Sequence, residues 1–291
     1  AGDQAHIGAL FGLVFVLAGL AFKVAAVPFH MWTPDVYEGA PTPVAAFFAS
    51  APKVAAMGLF LRVALDAFSG MVGDWRQIVV FMAIASMFLG AVGAIGQGNL
   101  KRLLAYSAIN NVGFMLIGLA AATAQGASAV LFYMAVYLVM TLGAFLCVLA
   151  LRDGNGEPVE AIDDLAGLAR SRPWLALAIA TFMLSLAGLP PLFGFMAKLA
   201  VFNAAVAANL WGLGVLGVLA SVVAAYYYLR LVKVMFFDEP AGRVAAAEGG
   251  DAVVAMNRAV MVAAALFCSP AGYFLLGALA TQTQRAAASL F

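Results

Sequence analysis

The sequence is poor in charge. Asp, Glu, Lys and Arg make up 10% of its 291 residues, against about a quarter in an ordinary soluble domain. Fifteen basic and fourteen acidic side chains leave a net charge of +1. There is no basic run, so nucleic acid is not an expected partner. Cysteine is almost missing. Cys147 and Cys268 lie in apolar runs, form no C-x-x-C or metal spacing, and read as small buried hydrophobes. The sequence has no nucleophile–base pair, flavin motif, haem ligand set or iron–sulfur spacing, so the chain itself is expected to hold no cofactor or metal and to do no redox chemistry. The run GAIGQG at 93–98 has no strand before it, so it reads as a helix terminus and not as a nucleotide loop. No signal peptide is expected, because an h-region is far shorter than the apolar sequence that follows. The start AGDQAHIG, without an initiator methionine, is expected of a processed or partial chain.

What the sequence does have is long apolar stretches. It is 65% hydrophobic with a mean hydropathy of +1.02. This excludes a soluble domain and implies an all-α polytopic membrane protein. Stretches of about 20 residues fall at 8–28, 43–65, 76–97, 103–122, 128–150, 174–206, 210–233 and 257–280, so eight crossings are expected. Two regions are too long for a plain span. Gly8 to Ala40 is 33 residues, about 50 Å as one helix against a hydrocarbon core of about 30 Å. Trp174 to Asn209, at 36 residues, has the same excess. Each contains a proline break (AVPF at 26–29, GLPPLFG at 188–194) and a lysine near it, Lys23 and Lys198. Paired discontinuous spans of this kind mark an ion pathway between inverted repeats. The expected division is a first half-repeat ending within 1–66, a second, inverted one over 76–237, and a C-terminal helix in 257–291.

Orientation follows from the loop charges. Lys101, Arg102, Arg152, Arg170, Arg172, Arg230, Lys233, Arg243 and Arg258 fall on the side reached after the first crossing, and Arg62, Arg76 and Arg285 on the other. The first side, with the longest polar loops, is expected to be cytoplasmic. In the connection 151–173, Ile162, Leu165 and Leu168 form one helical stripe with Asp163 and Asp164 opposite, which suggests a short amphipathic helix on the membrane surface. The loop 238–256 carries no signal beyond flexibility.

The stretch Phe22–Lys53, FKVAAVPFHMWTPDVYEGAPTPVAAFFASAPK, concentrates the chemistry. A lysine at the bilayer centre costs about 2.5–3.5 kcal/mol, so Lys23, Lys53 and Lys198 together would cost on the order of 8–10 kcal/mol uncompensated. In low dielectric an ammonium releases its proton more readily than in water, which suits a proton relay. The alternative is snorkelling to the interface. Lys53 resists that reading, because it lies about 15 Å into its span counted from Pro43. Asp35 and Glu38 either pair with a lysine or solvate the turn before Pro41. His30 either passes protons or is a hydrogen-bonded structural residue. Trp32 and Tyr37 read as interfacial aromatics. Ser107, Asn110 and Asn111, at offsets of three and four, share a helix face that is either a helix–helix contact or a wetted channel wall.

The Phe22–Lys53 stretch, NLKRLLAYSAINNVGFMLIGLA and SLAGLPPLFGFMAKL closely resemble the antiporter-like membrane subunits of respiratory complex I, over essentially the whole chain. WTPDVYEGAPTPV, with Tyr37 and Gly39, is more similar to the N branch of that family than to its L and M branches. The resemblance implies a membrane-arm subunit of an NADH:quinone oxidoreductase in a bacterial inner membrane. Its partners would be other membrane-arm subunits and the lipid bilayer, with flavin, iron–sulfur clusters and quinone in other subunits. It places the family's broken-helix lysines at Lys23 and Lys198 and the connecting lysine at Lys53. Family members have further spans ahead of the first one here. The family's intramembrane glutamate falls in that part, so Lys23 is without an acid partner in this sequence. Some relatives carry a histidine after NLKRLLAYS where this sequence has Ala108, Ile109, Asn110 and Asn111, so the route from Lys53 to Lys198 is expected to use water with Ser107, Asn110 or Asn111. Two rival readings stand beside proton translocation in complex I: a subunit of a multisubunit sodium/proton antiporter, and a structural component whose lysines are locked in ion pairs.

Overall fold

The computed structural model describes residues 2–245 and 252–291, and over these residues the fold is helical, with two isolated β-bridges and no strand. The first helix, α1 (Gly2–Val24), stops where Ala25 takes a left-handed φ of +64°. Pro28, which has no N–H to donate, keeps the next residues in turns. A short α2 (Trp32–Gly39) follows, then α3 (Thr42–Ala49) and α4 (Ala51–Arg62). The last two, with the π-turn after them, form one span, Thr42–Ala67, with a kink at Ser50. The cause of the kink is local. Pro52 supplies no donor, and the Ser50 hydroxyl donates back to the Ala46 and Phe47 carbonyls at 2.7 and 3.2 Å, a pattern that bends helices.

Helices α5 (Val72–Ile95), α6 (Leu100–Ala120) and α7 (Ala124–Leu149) are full spans. The Asn99 side chain caps α6 by accepting from the amides of Lys101 and Arg102, and Thr123 caps α7 through the Gly126 amide. The end of α5 at Ile95 puts GAIGQG at a helix terminus, as expected. α6 is almost wholly buried and forms the centre of the bundle. It lies so close to α5 that a Cβ on Gly90 would sit 2.5 Å from the Asn110 amide nitrogen. Small residues permit this approach in membrane bundles.

The 151–173 connection departs from expectation. Ile162, Leu165 and Leu168 are buried as one apolar set, but they do not share a helix. A single 3-10 turn spans Asp163–Leu165, Gly167 takes φ +67°, and α8 (Leu168–Ser171) begins anew. The stripe is pinned into the protein, with the Ile162 amide on Gly98 O and the Leu100 amide on Glu160 O, both at 2.8 Å.

Helices α9 (Pro173–Ala187) and α10 (Phe193–Ala207) are halves of the expected broken span. Each has 15 residues, about 22 Å, which is short of the hydrocarbon thickness. Helix α11 (Trp211–Phe237) is a full span. Helices α12 (Ala252–Cys268) and α13 (Leu276–Ala288) meet at a bend of 73° near Pro270, where a straight span over 257–280 was expected. Six described helices are long and apolar enough to cross a membrane, or seven if the bent pair counts as one span. The halves of the expected broken span, α9 and α10, are each too short to be counted among them, so the expected eight is not confirmed. In the loop after α11, the Ala241 amide donates to Ala166 O and the Ala245 amide to Arg152 O. Of the rest of the loop expected over 238–256, residues 252–256 belong to α12, and 246–251 lie outside the described residues.

Candidate functional site

Lys53 sits one turn past the Ser50 kink. It is 4% exposed, and its ammonium has no hydrogen-bond partner among the described residues. It lies 5.4 Å from the centroid of the Tyr37 ring, within reach of a cation–π attraction. A narrow void beside it is walled by Val24, Met57, Val112, Met115 and Tyr137. Tyr37 is fully buried, with an unpartnered hydroxyl, and is not the interfacial aromatic the sequence suggested. The short α2 turns it inward, toward Phe145 of α7.

Lys198 is held differently. It is 3% exposed, and its ammonium donates to Ala187 O at 2.7 Å and to Ser221 Oγ of α11 at 2.8 Å. Ala187 is the last residue of α9, so the ammonium rests at the negative end of a half-helix dipole. The Phe114 ring faces it at 4.4 Å. Gly188, at φ +80°, makes the break possible, and a Cβ there would meet Lys198 Cδ at 2.6 Å. Lys23 is on the outer face of α1 and exposed on the described chain.

Helix α6 stands between the two buried lysines. Val112 and Met115 wall the void at Lys53, while Phe114 faces Lys198. The same helix carries a polar cluster. Ser107 Oγ and Tyr228 Oη are 2.5 Å apart, Asn111 Nδ2 donates to Ser107 O at 2.8 Å, and Tyr133 Oη donates to Asn111 Oδ1 at 2.7 Å. Ser107 and Asn111 thus share a face, but Asn110 does not. One residue further round the helix, it donates instead to Met87 O of α5 at 2.7 Å, and its own Oδ1 is unpartnered. The close α5–α6 approach takes Asn110 away from the stripe. Hydroxyls both donate and accept, so the Ser107–Tyr228 pair can pass a proton, whereas Asn110 reads as a helix–helix contact.

Asp35 and Glu38 pair with neither buried lysine. Both reach Arg102 Nη1, at 2.7 and 2.9 Å. Next to it, Lys101 is buried, pairs with Glu160 at 2.7 Å and donates to Ala40 O at 2.9 Å. The two basic residues that open α6 therefore anchor α2 and the 151–173 connection. His30 is half-buried in the turn after α1, where burial lowers its pKa. Cys147 and Cys268 are free and buried. Among the described residues no His, Cys, Asp and Glu side chains gather as a metal site.

Sequence reasoning missed Tyr133, Tyr228, Ser221, Lys101 and Glu160. The run Tyr226–Tyr227–Tyr228 inside an apolar helix was the available signal, since buried phenols want hydrogen-bond partners.

Residues 2–224, with their broken helices and buried lysines, match the family described as NADH:quinone oxidoreductase/Mrp antiporter, TM. The chain belongs to this family. Within it, the chain is 59% identical over 290 residues to NADH-quinone oxidoreductase subunit N of Sphingopyxis alaskensis, covering 100% of this chain and 60% of that protein. Among solved structures, it is similar to a chain of respiratory complex I from Thermus thermophilus, at 37% identity and a TM-score of 0.78 over 94% of this chain and 58% of that one. It is also similar to a chain of the Mrp complex from Dietzia sp. DQ12-45-1b, at 25% identity and a TM-score of 0.80 over 95% of this chain and 58% of that one. The chain thus spans about 60% of the length of these three relatives.

Proposed function

We propose that this chain is part of subunit N of a proton-translocating NADH:quinone oxidoreductase in a bacterial inner membrane. In this reading it relays protons and does no redox chemistry. Flavin, iron–sulfur clusters and quinone belong to other subunits, and its partners are the other membrane-arm subunits. The observation that carries the reading is a pair of lysines buried on opposite sides of α6, with neither in an ion pair among the described residues. Charge held this way is expensive and marks ion pathways in membrane proteins.

In mechanism, each ammonium is a proton store whose stability depends on its local field. Lys198 is stabilised by Ala187 O and Ser221, and Lys53, among the described residues, by the Tyr37 ring alone. A charge change in a neighbouring subunit would tip the balance between them. Protons would come from the cytoplasmic side, move by way of Lys23, Lys53 and Lys198, and leave on the opposite face. The Ser107–Asn111–Tyr133–Tyr228 cluster would supply polar groups along α6. Residues 1–66 and 76–237 would be successive half-repeats, with 257–291 as an appended helix. In the assembled complex reconstituted in vesicles, Lys53→Ala should lower the number of protons pumped per NADH oxidised. An unchanged ratio rejects the reading.

The likeness to the Mrp chain supports a second reading, a sodium/proton antiporter subunit, in which the same lysines serve. Gentle extraction separates the two. Co-purified flavin and iron–sulfur subunits support the first, and their absence supports the second.

A further inference from the structure

A cavity of about 420 Å³ opens between the ends of α7 and α12 and the start of α9, away from the lysine axis. Three arginines line it: Arg152, Arg172 and Arg258. Among the described residues the one acid in the lining is Asp153, whose Oδ1 is turned into its own loop, accepting from the amides of Asn155 at 2.8 Å and Glu157 at 2.9 Å. The lining formed by the described residues is therefore net positive. Among the described residues none of the three arginines is in an ion pair. Arg152 donates to Gly156 O at 2.6 Å and Arg172 to Ala150 O at 2.8 Å, both neutral carbonyls. Arg172 is half-buried. Burial, and next the like charge of Arg258, hold its pKa below the ordinary value. Guanidinium groups gathered in this way call for an anion, and their forked donors suit phosphate oxygens.

The rest of the cavity is apolar. Leu146 and Leu149 of α7 and Met261 of α12 continue it along the flanks of two membrane helices. Trp174, 81% exposed and two residues after Arg172, has the character of an interfacial anchor. A phosphate-binding rim above an apolar wall at the membrane boundary fits an amphiphile better than a free ion. We propose that this cavity binds one anionic phospholipid, with its phosphate on Arg172 and Arg258 and its acyl chains along Leu146, Leu149 and Met261. Basic pockets between transmembrane helices recognise lipid headgroups in this way. The lipid would brace α12 against α7 at the seam where α12 joins the bundle.

The test uses the assembled complex, delipidated in detergent and titrated by native mass spectrometry with dioleoyl-phosphatidylglycerol. Dioleoyl-phosphatidylcholine and glycerol 1-phosphate serve as comparisons. One tightly held phosphatidylglycerol per complex should be lost or bound about five-fold more weakly in Arg258→Gln, and should be recovered in Arg258→Lys. Arg258 makes no side-chain hydrogen bond among the described residues, so this variant should assemble as the wild type does; Arg172→Gln, which also loses the Ala150 contact, is the second variant. Phosphatidylglycerol retention unmoved by either substitution overturns the proposal. So does glycerol 1-phosphate binding as tightly as the whole lipid, because the apolar wall would then contribute nothing.

Discussion

The ammonium of Lys198 donates to the carbonyl oxygen of Ala187, 2.7 Å away and eleven residues back along the chain. The contact exists because the span is broken. In a continuous helix the Ala187 carbonyl would be taken by an amide four residues on. The break frees it and turns it toward the Lys198 ammonium. Lys53, one turn after the Ser50–Pro52 kink, and Lys23, one residue before α1 ends, also lie at breaks, although the Lys53 ammonium takes up no freed carbonyl among the described residues. Each lysine of the expected relay stands beside a helix interruption.

Gly188 should tolerate no side chain. Alanine at φ +80° costs about 1–2 kcal/mol in backbone strain, and its Cβ would press on the aliphatic stem of Lys198. Gly188→Ala should lower both thermal stability and pumping, measured as the complex's melting temperature and as proton uptake by vesicles. Retention of both would remove the claim that the break positions Lys198.

Tyr133→Phe deletes the donor to Asn111 Oδ1 and leaves a buried acceptor unpaired, a loss of about 1–3 kcal/mol. Pumping should slow with it. The double variant Tyr133→Phe/Asn111→Leu should recover stability, because the unpaired acceptor is gone as well, but not pumping. Recovery of both would make the cluster purely structural.

The two basic residues that open α6 should differ in weight. Arg102 pairs with Asp35 and Glu38 at the surface, and exposed pairs contribute about 0.2–1 kcal/mol each. Lys101 is buried against Glu160, and breaking a pair of that kind costs more. Thermal melts of Lys101→Ala and Arg102→Ala complexes should therefore show the larger loss for Lys101. Equal losses would contradict the difference in burial.

Hydropathy was enough to read the membrane class and the two proline breaks, and the cost of burying charge singled out Lys23, Lys53 and Lys198, of which the described chain buries the last two and leaves Lys23 exposed. The sequence was less informative wherever tertiary contact decides. Tyr37 read as an interfacial aromatic, as Trp32 did, yet α2 turns inward and buries it. Asn110 and Asn111 are neighbours in sequence, but the glycine-lined contact with α5 claims one and the tyrosines claim the other. Asp35 and Glu38 found an arginine that is remote in sequence. The Ser50 kink was missed on hydropathy, because a serine hydroxyl bonding back to its own helix leaves no mark on it, although Pro52 was a readable signal.

The central claim is that Lys53 exchanges a proton and does not merely hold a fixed charge. Lys53→Arg separates the two, since a guanidinium keeps the charge but does not deprotonate in proteins. Proton pumping by the reconstituted complex carrying Lys53→Arg, measured per NADH oxidised, should fall as far as in Lys53→Ala. Wild-type pumping in the arginine variant would contradict the account.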